Sequence, residues 1–303
     1  MTILTVGSVA YDDIITPYDK RERALGGSAT YFSIAARQFT DVNLVAVIGE
    51  DFNYADENLL KDKGVGLEGL EKVSGKCFYW KGEYLANWND RVTHDTQLNV
   101  FEHFNPKLPE SHKDIDNVFL GNIHPSLQLQ VIRQMNTRPK LVALDSMNLW
   151  IKETRSDLLE VLKEVDCLLI NDSEAMMLSG CANLIEAAET IAKMGPKTLC
   201  IKQGEHGAFL IHEGKQAFAA PAYPFCNVVD PTGAGDSFAG GFLGFLTASE
   251  DRSFSTMRKA VIYGSVMGSF AVESFSVDRI ASLTREDVEK RYHEFVELTH
   301  FHE

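Results

Sequence analysis

Short apolar runs that stop at a small or polar residue recur along this chain, and helical periodicities fill most of the intervals between them. Residues 2–10, TILTVGSVA, read as a buried strand ending at a glycine. Residues 26–39, GGSATYFSIAARQF, open on two glycines and carry Phe32, Ala35, Ala36 and Phe39 at helical spacing, and residues 42–50, VNLVAVIGE, give another strand. The chain therefore begins β-α-β. NVFLGN (117–122), KLVALD (140–145) and DCLLIN (166–171) repeat the theme, with helical patterns over 126–136 and 153–164. Such alternation predicts an α/β fold whose mostly parallel sheet is covered by helices on both faces. Residues 197–220 add two or three strands with tight turns. The C-terminal third is helical over 234–249, 254–272 and 284–299, the last begun by Thr284 as N-cap with Asp287 at its third helical position.

Two regions break the rhythm. Residues 11–25 are polar and irregular, while residues 66–104 hold alternating, aromatic-rich segments suited to antiparallel strands. Together they predict a small β subdomain, from about 11–25 and 66–104, inserted in a single domain spanning 1–303.

Composition narrows the partners. Hydrophobic residues make up 45% and charged residues 24% of the chain, which is enough for a sizeable core. A net charge of −14 with scattered Lys and Arg argues against a nucleic-acid polymer as partner. A small anion is still accommodated, because backbone amides bind phosphate without net positive charge. The five cysteines are widely spaced and form no C-x-x-C, and no apolar run reaches membrane-spanning length. With no basic leader before the first strand, the expectation is a cytoplasmic protein without a membrane partner.

In an open parallel sheet, ligands bind beyond the carboxyl ends of the strands. The residues ending the strands thus form one set: Asp12, Gly26-Gly27, Gly49-Glu50-Asp51, Gly121-Asn122, Asp145, residues 171–174, Gly204 and the 230–236 loop. In DPTGAGD (230–236), Gly233 and Gly235 let a ligand approach the backbone, and the amides lead into a helix start, an anion hole with a favourable dipole. Asp236 could be a plain N-cap, but that leaves the glycine pair without a purpose. A carboxylate beside an anion hole suits phosphoryl transfer, in which it accepts the proton of the attacking hydroxyl.

DPTGAGDSFAGGFL resembles the C-terminal signature of the PfkB/ribokinase carbohydrate kinases along its whole length. GSVAYD (7–12), GGSAT (26–30), VIGEDF (47–52), NDSEA (171–175) and KQGEHG (202–207) fall in that family's order, so the resemblance spans about residues 3–275. It implies a ribokinase-like three-layer α/β/α sandwich in which the β subdomain is a lid. It further implies ATP and Mg2+ as cosubstrate and metal, Asp236 as the catalytic base, and the amides of Gly233, Ala234 and Gly235 as the anion hole. Asn171 and Glu174 match an N-x-x-E motif that organises magnesium and the nucleotide phosphates, partly through water; read alone they are a helix cap with a first-turn acid. Lys202, Gly204 and Gly207 match a loop that lies along the nucleotide, and read alone are a hairpin turn. Asp12 matches the acid that grips acceptor hydroxyls, with Gly26 and Gly27 closing over the acceptor; a solvated loop acid is the plain reading. Asp230 and Thr232, the latter also beside the nucleotide, match positions where many relatives bind a monovalent cation such as K+.

The chain departs from the family where Tyr31 replaces an Asn that helps read the sugar, and where Ala10 and Ser28 replace the Asn and Lys of ribokinase proper. Asn87, Asp90 and Arg91 near the lid's end could hydrogen-bond a polyol, while most lid aromatics are expected to pack the lid itself. The main expectation is a kinase of a sugar or sugar-like alcohol. A nucleoside kinase of the same fold is the alternative, and a sugar or nucleotide sensor that lost catalysis is another; the intact Asp236 speaks against the sensor. The acceptor, the hydroxyl phosphorylated and the oligomeric state are not in the sequence, although an exposed lid sheet could pair two copies across a two-fold axis.

Overall fold

The computed structural model describes residues 1–300. Its strands, in chain order, are β1 (Thr2–Val6), β2 (Ala10–Ile15), β3 (Lys20–Gly26), β4 (Asp41–Ile48), β5 (Val65–Lys72), β6 (Phe78–Tyr84), β7 (Arg91–Gln97), β8 (Asn117–Leu120), β9 (Leu141–Asp145), β10 (Cys167–Asn171), β11 (Thr198–Lys202), β12 (Ala208–His212) and β13 (Gln216–Ala220). The helices are α1 (Ser28–Ala36), α2 (Tyr54–Asp62), α3 (Pro125–Gln134), α4 (Asn148–Glu153), α5 (Arg155–Leu162), α6 (Asp172–Ser179), α7 (Leu184–Ala192), α8 (Ala234–Ser249), α9 (Phe254–Ala271), α10 (Asp278–Ser282) and α11 (Arg285–Thr299).

Nine strands form the main sheet in the order β13-β12-β11-β10-β9-β8-β1-β4-β5. It is parallel from β5 through β11, and the last two strands run antiparallel. Successive strand residues point to opposite faces, so each strand feeds two cores. Ile3 joins one buried cluster with residues of α1, α8 and α9, whereas Leu4 and Val6 join a second with residues of α3, α5, α6 and α7. Leu169 and Leu168 of β10 divide the same way. Sheet order turns back at β1: β4 and β5 extend to one side, β8 to β11 to the other. The crevice beyond such a reversal is where ligands lodge in open α/β sheets.

The second sheet has four strands in the order β3-β2-β6-β7. Two of its pairings are antiparallel, but β2 and β6 run parallel, because the chain returns to the main sheet between them. Two expectations need correction. Residues 11–25 are not irregular: they form most of a hairpin whose inner strand is buried, which hides the polar-apolar alternation. The lid also does not start at residue 66, since β5 pairs with β4 at the edge of the main sheet, so the second sheet comprises 10–26 and 78–97. A small cluster of Ile14, Ala24, Tyr84 and Phe275, with Trp80, Trp88 and Val229 packed against it, fills the space under the lid. Among the described residues no helix is long and apolar enough to cross a membrane.

Candidate active site

One side of the crevice is made where the chain leaves β1 of the main sheet and enters the lid. Asp12, on β2, is buried, and its carboxylate lies directly over Gly26. Gly27 has φ 94°, and a Cβ there would fall 2.4 Å from the Ser8 carbonyl oxygen. This is a close approach that glycine allows. Ser8 Oγ accepts from the Ser28 N–H at 3.0 Å and its carbonyl accepts from Ala29 N–H at 3.0 Å, which ties the start of α1 to the end of β1. Tyr31 is buried, and its hydroxyl has no partner. Its ring rests on Gly233, where a Cβ would come within 2.3 Å of the ring carbons.

Residues 230–236 form the bend that leads into α8. Gly233 takes the left-handed conformation at φ 73° and caps α8, so the glycine is required by the backbone as well as by the Tyr31 ring. Of the amides expected to form the anion hole, that of Ala234 is already engaged, donating to the Pro231 carbonyl at 3.2 Å within the bend. The N–H groups of Gly235 and Asp236 lie in the first turn, where no intrahelical acceptor exists, and they form part of the positive end of the α8 dipole. Thr232 N–H donates to Asp230 Oδ1 at 2.9 Å, and Thr232 Oγ1 donates to the Tyr84 hydroxyl of the lid at 3.2 Å. Asp230 is fully buried, and its Oδ2 has no partner.

Asn171 and Glu174 form a reciprocal capping box at the start of α6. Asn171 Oδ1 accepts from the Glu174 N–H at 2.8 Å, and Glu174 Oε2 accepts from the Asn171 N–H at 2.9 Å. The box orients the Glu174 side chain toward the crevice, where its charge acts on Asp236 and Lys202. Lys202, the last residue of β11, donates to Asp145 Oδ2 at 2.9 Å. Gly204 and Gly207 shape the turn that follows, with φ 54° and 96°. At the tip of the lid, Asn89 donates to Glu205 Oε2 at 2.8 Å, touching this turn across the crevice.

The electrostatics are those of a crowd of acids out of water. Burial, then the neighbouring Asp230 and Asp236, push Asp12 up to about 8. Asp236 is raised to about 7 by burial and by Asp145, against the opposing charges of Lys202 and Arg91. Burial raises Glu174 to about 7 and Asp230 to about 6. Burial works against the charge of Lys202, yet Asp145, Glu174 and Asp236 outweigh it and hold its pKa above the ordinary lysine value.

Asp12, Gly26, Gly27, the 230–236 bend, Glu174 and Lys202 therefore meet in one crevice, and Arg91, although exposed, acts on Asp12, Asp236 and Glu174 with its charge. Asn87 does not join them: its amide donates to Asp90 Oδ2 at 2.8 Å and its Oδ1 accepts from the Asp90 N–H at 3.1 Å in an exposed turn. Sequence reasoning placed Asp145 among the strand ends but gave it no role, and it did not foresee Tyr31 against Gly233 or Tyr84 against Thr232. A strand-end acid two strands from a strand-end lysine was the available signal for the first.

Comparison with known proteins places the chain by family and fold. A family model for pfkB family carbohydrate kinases matches residues 2–283. The cytidine kinase of Thermococcus kodakarensis is 29% identical over 250 residues, covering 80% of this chain and 87% of that protein. The nucleoside kinase of Burkholderia thailandensis, solved with inosine, superposes with a TM-score of 0.78 at 19% identity over 97% of this chain and 99% of that one. A candidate ribokinase II from E. coli, solved with ATP and Mg2+, gives a TM-score of 0.78 at 18% identity over 97% and 99% of the two chains.

Proposed function

Because this chain belongs to the pfkB family of carbohydrate kinases, we propose that it transfers the γ-phosphoryl group of ATP to a hydroxyl of a nucleoside. The meeting of Asp236 with the first-turn amides of α8 carries the reading. It offers a proton acceptor beside an anion hole, which is the pairing that phosphoryl transfer to an alcohol requires. The acceptor lies between Asp12, Gly26-Gly27 and the lid, and directs its hydroxyl at Asp236. ATP lies along the turn at 204–207, with its phosphates between Glu174 and the 233–235 backbone. The second sheet acts as the lid of a single kinase domain, and its closure over the acceptor excludes water, the competing acceptor. A nucleoside is favoured over a free sugar because the cytidine kinase similarity extends over most of the chain.

The residues present fit the expected ions. Glu174 and Asn171, locked together at the start of α6, would steady through water a Mg2+ carried by nucleotide phosphates. The orphaned, buried Oδ2 of Asp230 fits a monovalent cation such as K+, with Thr232 beside it. When bound, the ions supply positive charge to the phosphates. A homodimer through the lid belongs to the same proposal, since β7 is an edge strand exposed along its whole length; sedimentation equilibrium tests it.

The decisive experiment is ADP release and product mass across cytidine, adenosine, inosine, guanosine, ribose and hexoses. We expect a nucleoside to exceed ribose in kcat/KM by about tenfold or more, the low end of what apolar contact with an added group gives. Preference for ribose or a hexose overturns the acceptor. No ADP release with any member overturns the reaction.

A further inference from the structure

Asp145 ends β9 and Lys202 ends β11, with β10 between them. Their side chains meet only because the sheet delivers both carboxyl ends to one crevice. The pair is shielded, with the two side chains 7% and 17% exposed. Asp145 Oδ1 accepts from the Ser146 N–H at 2.8 Å, so the plane of the carboxylate is set before Lys202 docks on its other oxygen. A Cβ on Gly235 would stand 3.1 Å from Lys202 Nζ, which places the ammonium against the bend that the phosphoryl group meets.

A buried ion pair is a poor stabiliser, since apolar side chains of similar size often serve the fold as well. Its position beside Gly235 calls for another reason. The crevice already gathers Asp12, Glu174, Asp230 and Asp236 around the path of a group that is itself negative. Amide dipoles carry only partial charge, and Arg91 approaches from the exposed lid. A full cation held in place beforehand stabilises charge on the equatorial oxygens without reorganising during the reaction.

We propose that Lys202 is a catalytic residue whose ammonium meets the transferring phosphoryl group beside Gly235, and that Asp145 is the positioning residue that holds it there. This rests on the kinase reading above. The acceptor oxygen forms a bond to the γ-phosphorus while the bond from that phosphorus to the β,γ-bridging oxygen breaks. The bridging oxygen keeps the electron pair and departs as part of ADP, and the hydroxyl proton passes to the Asp236 carboxylate. Lys202 keeps its own proton throughout and contributes charge alone.

Calorimetric titration with ADP and with the β,γ-imido analogue of ATP, both with magnesium, separates contact at the terminal phosphoryl group from contact elsewhere. The variants are Lys202→Met, Asp145→Asn, Lys202→Arg and the double variant K202M/D145N, in which no buried charge is left unpaired should K202M alone fail to fold. In K202M and the double variant, ADP affinity stays within about threefold of wild type while affinity for the imido analogue falls about tenfold or more, the scale of a hydrogen bond to a charged group. D145N shows a smaller loss of the same selectivity, and K202R recovers part of it. Equal loss for both nucleotides, or no loss for either, overturns the catalytic assignment, and unchanged selectivity in D145N overturns the positioning role. A chain that phosphorylates no sugar or nucleoside would refute the kinase reading and leave this comparison standing, because the titrations need no acceptor.

Discussion

The Asp12 carboxylate lies so close above Gly26 that a Cβ on that glycine would fall 2.0 Å from Asp12 Oδ2. The acid and the glycine are diagonal neighbours across the β2–β3 hairpin, where Ala10 pairs with Gly26 and Asp12 with Ala24. A side chain at position 26 must therefore displace the acid. We expect Gly26→Ala to raise the acceptor KM about tenfold or more, while the KM for ATP stays within about twofold, as befits loss of a polar contact to one substrate. Steady-state kinetics with each substrate varied in turn gives the answer, and equal rises for both would detach Asp12 from the acceptor.

Asp236 is the proton acceptor in the proposed step. Asp236→Asn keeps the shape and loses the base, so turnover falls by about 10²–10⁴ with nucleotide affinity within a few-fold. Single-turnover ADP formation measures the loss. Turnover near wild type would remove Asp236 from that role.

Acidity acts on stability and on catalysis with opposite sign. Asp12, Glu174, Asp230 and Asp236 all have pKa values raised by burial, to about 8, 7, 6 and 7. In the unfolded chain they titrate near the ordinary carboxylate values, so across the interval between, the folded state holds more protons. Stability is therefore greatest below the unfolded pKa values and is lost as pH rises through the folded ones. Asp12→Asn cannot ionise. It should flatten this dependence and make the nucleotide-free protein more stable than wild type at pH ~8.5. Urea unfolding at pH ~5 and ~8.5 tests this, and parallel pH curves for the two proteins would contradict it. Turnover should instead rise with pH through about 7, as Asp236 loses its proton.

Glu174 completes the capping box of α6, and in the proposed site it also faces the nucleotide phosphates. Glu174→Gln keeps an oxygen able to accept from the Asn171 N–H but removes the negative charge. The magnesium concentration at half-maximal rate should rise about tenfold, the low end for groups that orient metal-bound water. An unchanged magnesium titration would leave Glu174 as a cap alone.

The sequence disclosed what local chemistry dictates. The 230–236 bend, its two glycines and the apolar helix behind it are contiguous, so their joint geometry was legible, as was the Thr284–Asp287 cap of α11. The mostly parallel sheet followed from β-α-β alternation, but the reversal of its strand order at β1 did not. Contacts between distant strands did not. Asp145 and Lys202 are 57 residues apart and meet through the pairing of β9, β10 and β11. Tyr31 was visible as a departure from a family pattern, but its seat on Gly233 depends on how α1 packs against α8. The lid was misjudged at both margins: β5 alternates like a lid strand although it borders the main sheet, and β2 buries an acid that sequence reasoning takes for a loop. Asn87 was polar and near the lid's end in sequence, yet Asp90 satisfies it first.

The lid is threaded through the molecule with no linker of its own. Its first strand continues from β1 after three residues, Gly7, Ser8 and Val9, and its second ends at Gly26 before Gly27 opens into α1. The pivots on which such a flap would swing are thus the residues that, in the proposed site, enclose the acceptor. Seating a guest between Ser8 and Gly27 and setting the angle of the flap would then be a single mechanical event.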